Sequence, residues 1–137
     1  MAKIVQLETG FYRVPLPVVL TDSTHGQMRA FELLTVRVRD ADGAEGMGYT
    51  FTVGRNGGAV ASILRHEIAD IVQGEDADHI ERLWSKIWWA THYGGRGGPT
   101  VLALSAFDIA VLGKEARPMT VKIDGPLVER ASVGSTR

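Results

Sequence analysis

The side chain best placed for chemistry is His25. It lies in the polar run Thr21-Asp22-Ser23-Thr24-His25-Gly26-Gln27, where an imidazole beside Asp22, Ser23 and Thr24 could bind a polar ligand. The other histidines offer less. His66-Glu67 begins like a zinc-protease helix, but Asp70 stands where the second His belongs. His79 and His92 have no ligand spacing, and a structural or solvent role accounts for all three. With no cysteine in the chain, a thiolate metal site, a cysteine nucleophile and a disulfide framework are excluded.

Asp108 is the odd carboxylate, set between Phe107 and Ile109 in the most apolar stretch. If buried it needs a hydrogen-bond partner. Arg96 is one candidate, a group on another chain is a second, and Ser105 lies three residues earlier on the same side. Two glycine-rich loops, Gly54-Arg55-Asn56-Gly57-Gly58 and Gly94-Gly95-Arg96-Gly97-Gly98, each precede a helical pattern. Helix N-termini attract anions, so anion binding is one reading and plain turn geometry the other. The second loop misses the dinucleotide fingerprint, because Thr100 takes the third glycine's place. Gly113-Lys114-Glu115 fails the phosphate-loop ending. Trp84 and Trp88 share a helix face while Trp89 turns about 100° away. That arrangement suits either a core contact with an amphipathic flank or a helix between two domains.

These residues sit on a chain of 137 residues, 45% hydrophobic and 23% charged, with a formal net charge of −1. That composition fits one globular domain. It argues against a disordered chain and against a phosphate-neutralising nucleic-acid binder. The length is too short for a complete eight-stranded α/β barrel of about 250 residues. No apolar run approaches the roughly 20 residues that span a bilayer, and the first residues lack a signal peptide's apolar stretch. A cytoplasmic protein with no membrane or nucleic-acid partner is expected.

The elements switch period halfway. Val5, Leu7, Thr9 and Phe11 alternate along a first strand that Pro15 and Pro17 are expected to end. Leu34, Val36 and Val38 line one face of a second strand over 31–39. Asp42-Gly43 turns it into a third over 45–51, in which Gly46 and Gly48 predict close approach of a helix or another backbone. Beyond Gly58 the period becomes helical. Val60, Ile63, Leu64, Ile68, Ile71 and Val72 form one stripe, with Gly74 as its stop. Asp78 and Glu81 have N-cap and third-position character for a second helix. Pro99 opens a third, Thr100 to about Leu112, apolar almost all round. Strands before helices mean an α+β fold: a three-stranded antiparallel meander followed by about three helices. The tail has one hint of a strand, Met119–Ile123.

The stretches Gly46-Met47-Gly48-Tyr49-Thr50-Phe51, Leu83-Trp84-Ser85-Lys86-Ile87-Trp88-Trp89, Tyr93-Gly94-Gly95-Arg96-Gly97-Gly98 and Ala103-Leu104-Ser105-Ala106-Phe107-Asp108-Ile109-Ala110 resemble the N-terminal capping domain of the mandelate racemase/muconate lactonizing branch of the enolase superfamily. The likeness runs from about Phe11 to Lys114 and is greatest to acid-sugar dehydratases of the galactarate/talarate type.

The resemblance implies a capping domain over 1–115 and an irregular tail or barrel remnant over 116–137. It implies two mobile loops, Val19 to Met28 and Thr52 to Gly58, that close over a barrel and select the substrate. His25, Arg55 and Asn56 are the side chains there suited to a carboxylate or hydroxyls. In the family a barrel Lys or His removes a proton α to a carboxylate, and Mg2+ held by barrel carboxylates stabilises the enediolate.

After Ala110 the family's Leu-Trp-Asp run is replaced by Val111-Leu112-Gly113. Val121-Lys122-Ile123-Asp124-Gly125 has Asp124 where the second Lys of the base motif would stand. No catalytic or metal-ligating residue is therefore assigned, and no metal is expected to bind this chain alone. The expected partner is a small acid sugar reached through a barrel, with the protein a homo-oligomer. The alternative is a stand-alone binding or dimerisation module that uses the apolar third helix.

Overall fold

The computed structural model describes residues 2–115 and 128–129. Strands β1 (Ile4–Asp22), β2 (Gly26–Asp40) and β3 (Glu45–Thr52) form the antiparallel meander. A two-residue strand β4 (Val128–Glu129) lies on the far edge of β1, giving the order β3-β2-β1-β4. The short strand expected over 119–123 and the base-motif likeness over 121–125 lie outside the described residues.

Alternation on β2 places Leu34, Val36 and Val38 wholly in the core. β1 departs from the expected parity at its start. The register slips between Ile4 and Gln6, and this bulge turns Ile4 inward and leaves Val5 exposed. The prolines do not end β1. Pro15 still pairs with Ala30, the register shifts, and pairing resumes at Leu20↔Met28. The extra residues, Pro17 among them, bulge out, so the missing N–H of Pro17 interrupts no regular ladder.

Helical residues cover one face of the sheet. Residues 57–72 form α1, with α-helical turns at Gly57–Ser62 and Ala69–Val72 and a π-helical stretch, Ile63–Ile68, between them. Val60, Leu64, Ile68 and Val72 are fully buried. Strict four-residue spacing drifts about 40° per step around an α-helix, and the wider π turns offset that drift. Gly74 at φ 75° closes the segment as expected.

Helix α2 (Ile80–Thr91) buries Leu83 and Ile87. Its N-cap is His79, not Asp78, and no side chain caps it. The Asp78 carboxylate is instead occupied by Lys114. Helix α3 (Gly98–Leu112) starts with Pro99 in its first turn and crosses β3 and β2. Gly46 and Gly48 make that crossing tight: a β-carbon would lie 1.9 Å from the Ala110 carbonyl oxygen at the first and 2.0 Å from that of Ala106 at the second.

Candidate functional site: two loops at one end of the sheet

β3 stops at Thr52 opposite Glu32, whereas β1 and β2 continue together to the Asp22↔Gly26 pair. The β1–β2 hairpin therefore projects as an arm on the order of 20 Å past the end of β3, and most of its side chains are exposed. The segment expected as a loop over Val19 to Met28 is thus mostly paired strand around a short turn at Ser23–His25.

At that turn the Asp22 carboxylate accepts hydrogen bonds from the backbone N–H groups of Thr24 (2.9 Å) and His25 and lies 2.8 Å from His25 Nδ1. The backbone N–H of His25, followed by its ring, holds the Asp22 carboxyl below the ordinary carboxylate range. A carboxylate only accepts, so the imidazole donates from Nδ1 and keeps Nε2 for a ligand.

Arg55 and Asn56 lie in the β3–α1 connection, both exposed. Asn56 adopts left-handed backbone, φ 69°, a conformation that short polar side chains tolerate. This connection leaves the same end of the sheet as the arm. Arg55 and Asn56 thus lie at the root of the arm and His25 at its tip, all leaving the same end of the sheet, with no hydrogen bond joining His25 to the other two.

The support of this end includes a residue not assigned from sequence. Glu32 is 3% exposed, and its Oε2 accepts from Thr52 Oγ1 at 2.7 Å and from the Gly57 N–H at 2.9 Å. Strand parity carries a signal for it, because Glu32 shares the inward face with Leu34, Val36 and Val38.

A second charge cluster closes the other end, with Lys114 and Asp40 buried and Asp78 exposed. Lys114 Nζ lies 2.7 Å from the Asp40 carboxylate and 3.1 Å from that of Asp78. No spacing connects residues 40, 78 and 114. Asp108 is half-buried and, among the described residues, has neither Arg96 nor any other hydrogen-bond partner; burial pushes its carboxyl up.

The tryptophans divide, with Trp84 and Trp88 stacked at 4.9 Å between centroids and Trp89 exposed. No helix among the described residues is long and apolar enough to cross a membrane. Among those residues no three His, Cys, Asp or Glu side chains gather into a metal-binding set.

A one-sided antiparallel sheet under three helical segments, with two polar loops at one end, defines the class: an enolase-type N-terminal domain. The chain belongs to the family described as mandelate racemase / muconate lactonizing enzyme, N-terminal domain, which it matches over residues 5–124. It is 51% identical over 108 residues to the 3,6-anhydro-alpha-L-galactonate cycloisomerase of Streptomyces coelicolor, covering 79% of this chain and 30% of that one. It is 31% identical over 116 residues to the L-talarate/galactarate dehydratase of Salmonella typhimurium, covering 82% and 29%.

Among solved structures it is similar to a racemase from Streptomyces coelicolor with bound magnesium. The TM-score is 0.77 at 51% identity, with 79% of this chain and 30% of that one covered. It is also similar to an L-talarate dehydratase from Polaromonas complexed with Mg and L-glucarate, with TM-score 0.75, 28% identity and coverage of 81% and 31%. The chain thus spans about 30% of the length of these relatives.

Proposed function

We propose that residues 1–115 are the substrate-specificity capping domain of a magnesium-dependent enolase-superfamily enzyme acting on sugar acids. Its reaction begins with proton abstraction α to a carboxylate and leads to dehydration, racemisation or cycloisomerisation. One observation carries the reading: two loops far apart in sequence present His25, Arg55 and Asn56 at the same end of the sheet. A guanidinium and a carboxamide at the root of the arm suit a carboxylate, and an imidazole at its tip suits a hydroxyl. In this proposal the base and the metal-holding carboxylates belong to a barrel, residues 116–137 are a tail or barrel remnant, and the working protein is a cytoplasmic homo-oligomer.

The test replaces the matching N-terminal segment of the Streptomyces coelicolor cycloisomerase with residues 1–115. The chimera is expected to turn over a sugar acid, and Arg55→Ala and His25→Ala to raise its KM more than they lower kcat. Turnover by the pure 137-residue chain, or an unchanged KM in both variants, overturns the reading.

A second reading, a stand-alone dimerisation module, draws on the outer flank of α3, where Ile109 and Leu112 are exposed on an otherwise apolar helix. Sedimentation equilibrium of the chain decides it. A dimer dispersed by Leu112→Glu supports this reading, and a monomer at all concentrations removes it.

A further inference from the structure

We propose that Glu32 is a positioning residue that holds the Arg55–Asn56 loop in one preset conformation, so that this loop, in place of the mobile closure the family resemblance implies for it, meets its ligand as a fixed surface. The assignment of a ligand to the loop rests on the capping-domain reading; the preset conformation does not.

Thr52 and Gly57 flank the four residues Val53–Asn56, and both donate to the same carboxylate oxygen, Glu32 Oε2. One buried carboxyl oxygen therefore ties the loop's first and last anchors together. Burial in a low-dielectric interior strengthens both hydrogen bonds. The Gly57 N–H also belongs to the start of α1, where the helix dipole favours a negative charge.

The closeness is built into the residue types. A β-carbon at position 57 would lie 2.5 Å from Glu32 Oε2 and 2.8 Å from the Phe11 ring, so any larger residue must displace the carboxylate or the ring from this arrangement. Inside this clamp the loop takes two left-handed residues, Gly54 at φ 92° and Asn56 at φ 69°. Gly54 adopts its conformation freely, whereas the one at Asn56 has a cost, and the anchored ends retain it. With its ends fixed on one atom, the loop has few other paths across so short a span.

The experiment uses the full 137-residue chain, with 15N relaxation of the loop amides and hydrogen exchange at Gly57. In the wild type, the amides of Gly54, Arg55 and Asn56 are expected to be as ordered as those of α1. Glu32→Gln, which retains one carbonyl oxygen, is expected to loosen the loop and to speed Gly57 exchange about tenfold. Thr52→Val keeps the side chain's shape and removes one anchor; it should loosen the loop with exchange at Leu83 and Ile87 unchanged. It also decides the matter if Glu32→Gln fails to fold.

A loop already mobile in the wild type overturns the proposal. So does an unchanged loop order and Gly57 exchange in both Glu32→Gln and Thr52→Val. An inactive chimera beside an ordered wild-type loop overturns the capping-domain reading and leaves the Glu32 assignment standing.

Discussion

Gly48 lies so close to Ala106 that a β-carbon on it would stand 2.0 Å from the Ala106 carbonyl oxygen. The contact is backbone against backbone, so no rotamer change relieves it. Gly48→Ala must push α3 off β3, and a loss of about 3 kcal/mol is expected, the upper end of ordinary overpacking. Gly58→Ala is the control. A β-carbon there meets nothing within 4 Å, and the substitution should raise stability by about 0.4–1 kcal/mol through the unfolded chain. Urea unfolding of the two variants checks the opposite signs.

The Lys114–Asp40–Asp78 cluster makes stability depend on acid. The hydrogen bond from Lys114 holds the Asp40 carboxyl below its ordinary value of 3.8, against the opposing effect of burial and with help from the Ala44 N–H. A depressed folded value means that this stabilisation is present above about pH 3.8 and is lost as pH falls through the lower folded value. For Lys114, burial alone would lower the ammonium, but Asp40 and Asp78 outweigh it and raise the group above 10.5. Its contribution is therefore complete below pH 10.5 and fades above. Lys114→Met leaves Asp40 buried without its cation and should cost about 3 kcal/mol at pH 7. Thermal melts from pH 2 to 7 should show a shallower acid dependence in the variant.

Asp108 has the opposite sign. Burial raises its carboxyl above 3.8, so it opposes folding at neutral pH, and that opposition is relieved as pH falls through the raised folded value. Asp108→Asn removes the desolvated charge and should stabilise the chain by under about 1 kcal/mol at pH 7. That gain should vanish below pH 3.8, as paired melts at pH 7 and pH 3 would show.

At the arm's tip, Asp22 determines which nitrogen of His25 carries the proton. Asp22→Asn no longer demands a donor at Nδ1, so the neutral ring is expected to shift toward the Nε2–H tautomer. Nitrogen chemical shifts of the ring report this directly. In the chimera, the same variant should raise KM for a sugar acid, because Nε2 then donates where it previously accepted.

Much of the fold is legible from spacing alone. Leu34, Val36 and Val38 alternate because strand geometry has period two, and all three are buried as expected. Gly46 and Gly48 signal a close neighbour before the neighbour is known, and α3 is that neighbour. Pro15 and Pro17 mislead, because their effect depends on whether the paired strand can bulge around them. Asp78 misleads too: it has the chemistry of a cap, but Lys114 competes for its carboxylate.

What the sequence determined by itself was therefore local and periodic: strand faces, the Asp42-Gly43 turn, the stop at Gly74, the glycine pair in β3 and the motifs that mark the family. Tertiary structure decided which distant residues share an atom or a charge. Glu32 reaches Gly57 across 25 positions, and Lys114 reaches Asp78 across 36. Such pairings depend on how the helices lie on the sheet, and no repeat along the chain encodes that geometry.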